Sequence, residues 1–326
     1  MVRPITIILL ILGLVGSASA QTDPAAARWP DRPVRFIVPF PAGAATDVVA
    51  RIVAQRIGNR LGQTFVVENR VGASGTLGAD AVAKAAPDGY TIGFATATTH
   101  PIAASLSPNL SYDPVKDFSP VSMLGTTPYS LVAWKGLPVK TVADLIAYAK
   151  AHPGKVAYSS VGPSSLAHLA AQLFATTTGV KFTHVPYRSA SQAVFDLMDG
   201  RIQIQFGLVA ASLSAVRDGK LTALAVTSPH RIPDLPNVPT VAESGLPGYE
   251  AALWTAVVMP AGVSPVIVGR LQKAIADTLK DPDIAEGLRA KGFIAESSTP
   301  EQLRERIKQD IKKWHDLAIK AHLEIR

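Results

Sequence analysis

Apolar residues recur along this chain in two alternating rhythms. Short runs such as Val34-Arg-Phe-Ile-Val38 give way to stretches such as 46–61, where apolar positions repeat every three to four residues. The first rhythm predicts a buried strand, the second a helix packed along one face. On this basis strands are predicted over 34–38, 65–68 and 91–95, the last following the turn Pro87-Asp-Gly89, with helices over 46–61 and 76–85. A second series begins with a strand over 129–133. It continues with helices over 142–150, 165–176 and 191–198, and strands over 156–159, 182–185, 202–206 and 221–227.

A proline-rich stretch, 229–247, interrupts the pattern and predicts an irregular connection. A strand over 252–258 follows, and two long helices over 264–279 and 300–321 close the chain. The last carries Glu301, Arg304, Glu305, Lys308, Asp310 and Lys312 at helical neighbour spacings, the pattern of a solvated, salt-laced face. Strand–helix alternation argues for parallel or mixed sheets covered by helices on both faces. No solenoid repeat or low-complexity tract appears.

Composition narrows the picture. Met1-Val-Arg3, an apolar run from Ile7 to Val15, and Ala18-Ser-Ala20 together read as an export signal cleaved after Ala20. The run is short for a membrane span, so a soluble, exported product is expected. There is no cysteine, which excludes a disulfide framework, a lipoprotein attachment site and thiol catalysis. Hydrophobic residues make up 48%, ample for a large core, and the length suits two α/β lobes. The formal charge of +7 is spread thinly, without a basic block interleaved with aromatics, so nucleic acid is not an expected partner.

The chemistry lies in the turns. Phe40-Pro-Ala-Gly-Ala-Ala-Thr-Asp47 is an elbow between a buried strand and a helix, where the unpaired N–H groups of a helix start can receive an anion. Three further turns follow strands: Phe94-Ala-Thr-Ala-Thr-Thr-His100, Tyr158-Ser-Ser-Val-Gly-Pro-Ser-Ser165, and Val185-Pro-Tyr-Arg-Ser-Ala-Ser191. Each alone is also ordinary strand-to-helix turn chemistry. Gathered at the carboxyl ends of strands, they would make one polar cleft suited to a small carboxylate. Asp47 reads as a helix-start residue before a general base, Arg188 as an exposed cation or a carboxylate partner, and Trp254 as core or cleft wall. Enzyme signatures are missing: Gly72-Ala-Ser-Gly75-Thr-Leu-Gly78 departs from G-x-G-x-x-G, and neither G-x-S-x-G nor H-E-x-x-H occurs.

Several motifs carry a family resemblance. They are Trp29-Pro-Asp-Arg-Pro33, the elbow 38–47, Val67-Glu-Asn-Arg70, Ala86-Pro-Asp-Gly-Tyr90, Tyr112-Asp-Pro-Val-Lys-Asp-Phe118, His184-Val-Pro-Tyr-Arg188, Ala223-Leu-Ala-Val-Thr-Ser228 and Val238-Pro-Thr-Val-Ala-Glu-Ser-Gly245. With them the chain resembles the tripartite tricarboxylate transporter receptor family, the Bug or TctC-like periplasmic solute-binding proteins. The resemblance implies an α/β, two-lobed periplasmic binding protein of the type II, Venus-flytrap kind. Each lobe would be a mixed, mostly parallel sheet flanked by helices. Lobe one would comprise 28–126 and 251–326, lobe two 127–250, with crossovers near Thr126 and Glu250. It implies no catalysis, no metal and no cofactor. A monomer would capture a small carboxylated solute, a dicarboxylate or other carboxylate, in the interlobe cleft and deliver it to a membrane permease. A ligand-presenting sensor for a membrane kinase, or an exported hydrolase, is the alternative.

Carried onto this sequence, the ligand contacts fall on Phe40, Pro41, Ala42, Gly43, Ala44, Ala45, Thr46 and Asp47, then on Thr96, Thr98, Thr99 and His100. In lobe two they fall on Ser160, Gly162, Ser164, Ser165, Tyr187, Arg188, Ser189, Ala190 and Gly207. Two departures stand out. The elbow keeps one glycine where the family commonly has two, and Gly207 stands where an aspartate is common. That aspartate can receive an amino-acid ammonium group, so its absence implies a solute that is not an α-amino acid.

Overall fold

The computed structural model describes residues 28–163 and 165–323. The expected export signal, 1–20, and the expected site residue Ser164 lie outside the described residues. The elements run β1 (Val34–Val38), α1 (Ala45–Leu61), β2 (Phe65–Asn69), α2 (Thr76–Ala83), β3 (Thr91–Thr96), a π-helical turn (Thr98–Ile102), α3 (Ala103–Leu106) and β4 (Phe118–Thr127). They continue with β5 (Tyr129–Trp134), α4 (Val142–Ala151), β6 (Val156–Ser160), α5 (Leu166–Thr178), β7 (Phe182–Pro186), α6 (Ala190–Met198), β8 (Ile204–Leu208), α7 (Val209–Arg217) and β9 (Leu221–Val226). The last are β10 (Leu253–Pro260), α8 (Pro265–Leu279), α9 (Pro282–Arg289), β11 (Ile294–Ala295) and α10 (Pro300–Lys320). No helix among the described residues is long and apolar enough to cross a membrane.

The fold is two-lobed α/β, as expected. One sheet has the order β11-β4-β10-β3-β1-β2, the other β7-β6-β8-β5-β9. Both are mixed, but parallel pairing does not dominate. It is confined to β2-β1-β3 and β7-β6-β8. The pairings β3-β10, β10-β4, β4-β11, β8-β5 and β5-β9 are antiparallel. The reason is connectivity: β5 and β10 enter their sheets from the neighbouring one rather than through a helical crossover, which would have imposed parallel pairing.

Side-chain alternation puts each strand between two helical layers. Val34, Phe36 and Val38 of β1 pack with Val49 and Val53 of α1 and Leu271 and Ile275 of α8. Ile37 belongs with Trp254 and Ala256 of β10 and Leu303, Ile307 and Trp314 of α10 in a second cluster, which continues into Leu131, Leu169, Phe174 and Phe206 of the other sheet. One apolar core thus spans the junction on that side.

The short α3 and β11 escaped the hydrophobic pattern, and so did three longer elements. Pro120 disguises β4, yet the strand is central; a register shift between Val257 and Val258 lies beside its pairing with Val258. Helix α7 starts directly from β8 with no turn residue between them. Helix α9 is short, and its Asp281 cap followed by Pro282 was the available signal.

The chain passes between the sheets at Pro128 and again at 250–252. Thr227 ties the passages together: its N–H donates to Tyr129 O (2.9 Å), its Oγ1 donates to Ala251 O (2.6 Å), and Ala251 N–H donates to Thr227 O (2.9 Å). Helix α10 anchors the second passage. Arg306 pairs with Glu250 and with Asp310 (3.0 Å), Lys313 pairs with Asp310 (2.6 Å), and the buried Trp254 Nε1 donates to Asp310 Oδ2 (2.7 Å). Burial raises the Asp310 pKa, but Lys313 and Arg306 outweigh it and hold the carboxylate ionised.

Asp310→Ala would leave Lys313 and the Trp254 indole N–H without their carboxylate acceptor and Arg306 with Glu250 alone. It should lower unfolding free energy by about 3–5 kcal/mol in urea denaturation; a loss below about 1 kcal/mol would show that this cluster does not anchor the crossover.

Candidate functional site

The elbow after β1 is locked from within. Asp47, third residue of α1, is buried and accepts hydrogen bonds from Gly43 N–H (2.8 Å), Arg51 Nε (2.9 Å) and Asn69 Nδ2 (2.8 Å). Asn69 Nδ2 also donates to Phe40 O (2.9 Å), and Arg51 Nη2 donates to Asn69 Oδ1 (3.1 Å). Asp47 therefore staples the loop from inside the helix rather than capping α1. Burial pushes its pKa up, but these donors prevail and hold it at about 2.

The helix cap position belongs to Ala44, which has no side chain able to bond the first turn, so the helix start is uncapped. Gly43 needs its glycine, with φ at 82°, whereas Ala44 sits at φ −65°, ψ 158°, a conformation open to any residue. The second family glycine is therefore dispensable to the backbone here. Glycines 75 and 78 serve the same elbow by close packing: a Cβ on Gly78 would lie 2.7 Å from Pro39 Cβ and 2.9 Å from Arg70 O.

After β3, Thr96 and Thr99 bond each other reciprocally, Thr96 N–H to Thr99 Oγ1 (3.0 Å) and Thr99 N–H to Thr96 Oγ1 (3.1 Å). Thr99 Oγ1 also meets His100 Nδ1 (3.1 Å), and Tyr112 OH donates to Thr99 O. All four residues are buried, and burial holds the His100 pKa at about 3. Pro101 lacks the N–H an α-turn needs there, and the chain answers with a π turn in which Ile102 N–H reaches Ala97 O (3.0 Å).

In the other lobe α5 and α6 start on serine caps, whereas α7 starts uncapped at Leu208. Ser165 Oγ accepts from His168 N–H (3.3 Å) and donates to Gly162 O (2.6 Å), while Ser189 Oγ accepts from Gln192 N–H (3.3 Å). Ser160 Oγ accepts from Gly162 N–H (3.1 Å) and meets His184 Nε2 (2.7 Å). Tyr187 OH donates to Asp196 (2.8 Å), Arg188 is exposed, and Ala190 opens α6. His168 is buried against Tyr158, its Nδ1 2.9 Å from Tyr158 OH; burial and then His184 lower its pKa to about 4.

Gly207 pairs across the sheet with Ser130, whose buried Oγ has no hydrogen-bond partner among the described residues. A Cβ at Gly207 would lie 3.1 Å from Gln205 Cδ, and Gln205 Nε2 donates to Ser159 Oγ (3.1 Å). A side chain at this position would press on Gln205, which would have to give way slightly.

Three cavities among the described residues join the lobes; one, lined by Thr126, Ser228 and Gln302, holds none of the expected site residues, and the other two do. The larger, 720 Å³, brings Thr98, Ser74 and Thr76 of one lobe against Gly162, Pro163 and Ser165 of the other. The smaller, 230 Å³, lies at the crossover end; Ala45 and Thr46 meet Thr127, Leu208, Thr255 and Lys291 there. Of the expected residues, Thr98, Gly162 and Ser165 share the first and Ala45 and Thr46 the second. Phe40 to Ala44 form the braced loop before them, while Tyr187 to Ala190 line neither. The sequence reading missed Ser74, Thr127, Thr255 and Lys291, which long-range folding alone brings in. Only Thr255 left a signal, as a lone hydroxyl in an otherwise apolar strand.

Two outcomes are expected from this geometry. Asp47→Ala should lower stability by about 2 kcal/mol through loss of charged hydrogen bonds, read by denaturant titration, with faster amide exchange in 40–47. His100 and His168 have depressed folded-state pKa values, so their stability is complete above about 6.5 and falls as pH drops toward about 3 and 4. Unfolding midpoints measured from pH 7.5 to 4 should decline, and His168→Asn should flatten the curve; identical curves would contradict this.

Residues 49–323 match the family described as TctC, tripartite tricarboxylate transporter family receptor. Protein BugT of Bordetella pertussis is 38% identical over 312 residues, covering 95% of each chain. The solved structure of R. palustris Rpa4515 with adipate is 37% identical, TM-score 0.74, over 90% of this chain and 99% of that one. MatC (Rpa3494) from Rhodopseudomonas palustris with bound malate is 33% identical, TM-score 0.70, over 89% and 99%. This family is one of solute-binding receptors rather than enzymes, and with the match running through both lobes, the chain belongs to it: it is a member of the tripartite tricarboxylate transporter family receptors.

Proposed function

We propose that this protein captures a small carboxylated solute, other than an α-amino acid, between its lobes and delivers it to a membrane permease of the tripartite tricarboxylate type. It acts as a monomer in the periplasm, after cleavage following Ala20. Lobe one comprises 28–126 and 251–326, and lobe two 127–250. The observation that carries the reading is the uncapped start of α1 on an elbow braced by Asp47. Unpaired N–H groups and the helix dipole favour an anion there without a buried countercharge. The adipate and malate of the related structures support a carboxylate.

The loops 40–47, 96–100, 159–165 and 187–191, with Gly207, form the jaws. Thr98, Gly162 and Ser165 supply neutral contacts from opposite sides of one cavity. At Gly207 no acid meets an ammonium group, and Gln205 runs beside the position instead.

A thermal-shift screen of mono-, di- and tricarboxylates tests the reading. At a hundredfold excess over Kd, a ligand that binds only the folded state stabilises it by about 2.7 kcal/mol, a rise of several degrees. At least one carboxylate should give that rise, and aspartate and glutamate should give none. A panel without any shift would overturn the carboxylate assignment, and a shift with glutamate would overturn the exclusion of amino acids.

A further inference from the structure

The 230 Å³ cavity at the crossover end has an unusual balance of charge and polarity. Its walls are largely apolar, with Val49, Phe94, Leu253 and Phe293 contributing, yet its polar features share one sign. Ala45 and Thr46 bring the uncapped start of α1, a helix of 17 residues. Leu208 is the cap residue of α7, and it too makes no side-chain cap bond. Gly292 and Ala210 hold that second helix start against the first lobe; a Cβ on Gly292 would lie 3.2 Å from Ala210 Cβ. Lys291 lines the same cavity, is exposed, and makes no ion pair among the described residues. No carboxylate lines the wall.

Thr255 makes this more than a confluence of helix ends. It is 1% exposed, and its Oγ1 has no hydrogen-bond partner among the described residues. Alternation along β10 sends Trp254 and Ala256 into the cluster shared with α10, and Val257 and Met259 into the cluster shared with α1 and α8. Thr255 therefore faces the α1 side, where Val49, Phe94 and Phe293 line the cavity. A buried hydroxyl left without a partner costs free energy, and a ligand oxygen in this cavity would remove that cost.

We propose that this cavity holds a second anion subsite beside the start of α1: Thr255 Oγ1 and Lys291 receive the far carboxylate of an elongated solute whose other carboxylate sits on the N–H groups of the α1 start, while the apolar wall packs its methylene chain. The inference rests on the receptor reading above and sharpens its solute class to α,ω-dicarboxylates with an apolar spacer. A short, highly hydroxylated acid would leave the apolar wall against polar groups. A monocarboxylate would leave Lys291 and Thr255 unused.

Calorimetric titration of the full mature chain tests it, with succinate, adipate, suberate and the monocarboxylate hexanoate as probes against wild type, Lys291→Met and Thr255→Val. Lys291 is exposed and the threonine change conserves shape, so both variants should fold, with melting temperatures near wild type. Wild type should prefer a dicarboxylate to hexanoate by at least tenfold. Each variant should weaken the best dicarboxylate about tenfold while moving hexanoate less than twofold. If wild type binds a dicarboxylate but neither variant changes its affinity more than twofold, the subsite is wrong and the receptor reading stands. If equal weakening extends to hexanoate, the residues support the cleft generally and the second-anion role is overturned. If no probe binds wild type, the assignment to α,ω-dicarboxylates is overturned, and the wider carboxylate screen alone decides the receptor reading.

Discussion

The carboxylate of Asp47 holds the geometry on which the binding end of this molecule depends. It sits inside α1 yet reaches back to the loop that precedes the helix, and Asn69 and Arg51 join it from β2 and the next helical turn. The arrangement satisfies a buried charge entirely with local donors, so the elbow does not need a ligand to hold its shape. It also leaves the cap position to Ala44, which has nothing to offer the first turn of the helix. A self-capped helix start would compete with an arriving carboxylate. Here the bracing carboxylate belongs to the first turn but bonds Gly43, Arg51 and Asn69 rather than the Ala45 and Thr46 N–H groups, and the site can be both rigid and vacant of its own side chains.

The two lobes solve the same problem differently. In the lobe built on the six-stranded sheet the helix start is open, whereas α5 and α6 in the other lobe carry serine caps. At those two turns lobe two therefore presents hydroxyls and loop backbone, and its bare helix start is that of α7 at Leu208. The crossover strands join these unequal faces, bound to each other through Thr227 and to α10 through Glu250 and Arg306. That geometry concentrates rigidity at one edge and leaves the opposite loops to meet across the cavity lined by Thr98 and Gly162.

Much of this was legible in the sequence, and the failures have physical causes. The apolar run 34–38 and the periodic stretch after it located β1 and α1 to within one residue, because propensity, pattern and burial agree there. Pro120 hid a central strand because its bulged pairing is a tertiary accommodation. The single glycine of the elbow looked like a lost degree of freedom, but only Gly43 occupies the left-handed region. Residue type alone marked Thr96, Thr99 and His100 as donors; it could not show that they are buried and bonded to one another. Thr255 and Lys291 meet α1 only through the return of the chain from the other lobe, which local pattern does not encode.

The central claim is that the start of α1 receives a carboxylate between the lobes. A crystal structure of the mature chain soaked or grown with its tightest-binding carboxylate tests it most directly. The account predicts a carboxylate oxygen within hydrogen-bond distance of the Ala45 or Thr46 N–H, with the loop 160–165 closing on the same ligand. A carboxylate bound elsewhere, with those N–H groups facing only solvent, would contradict it.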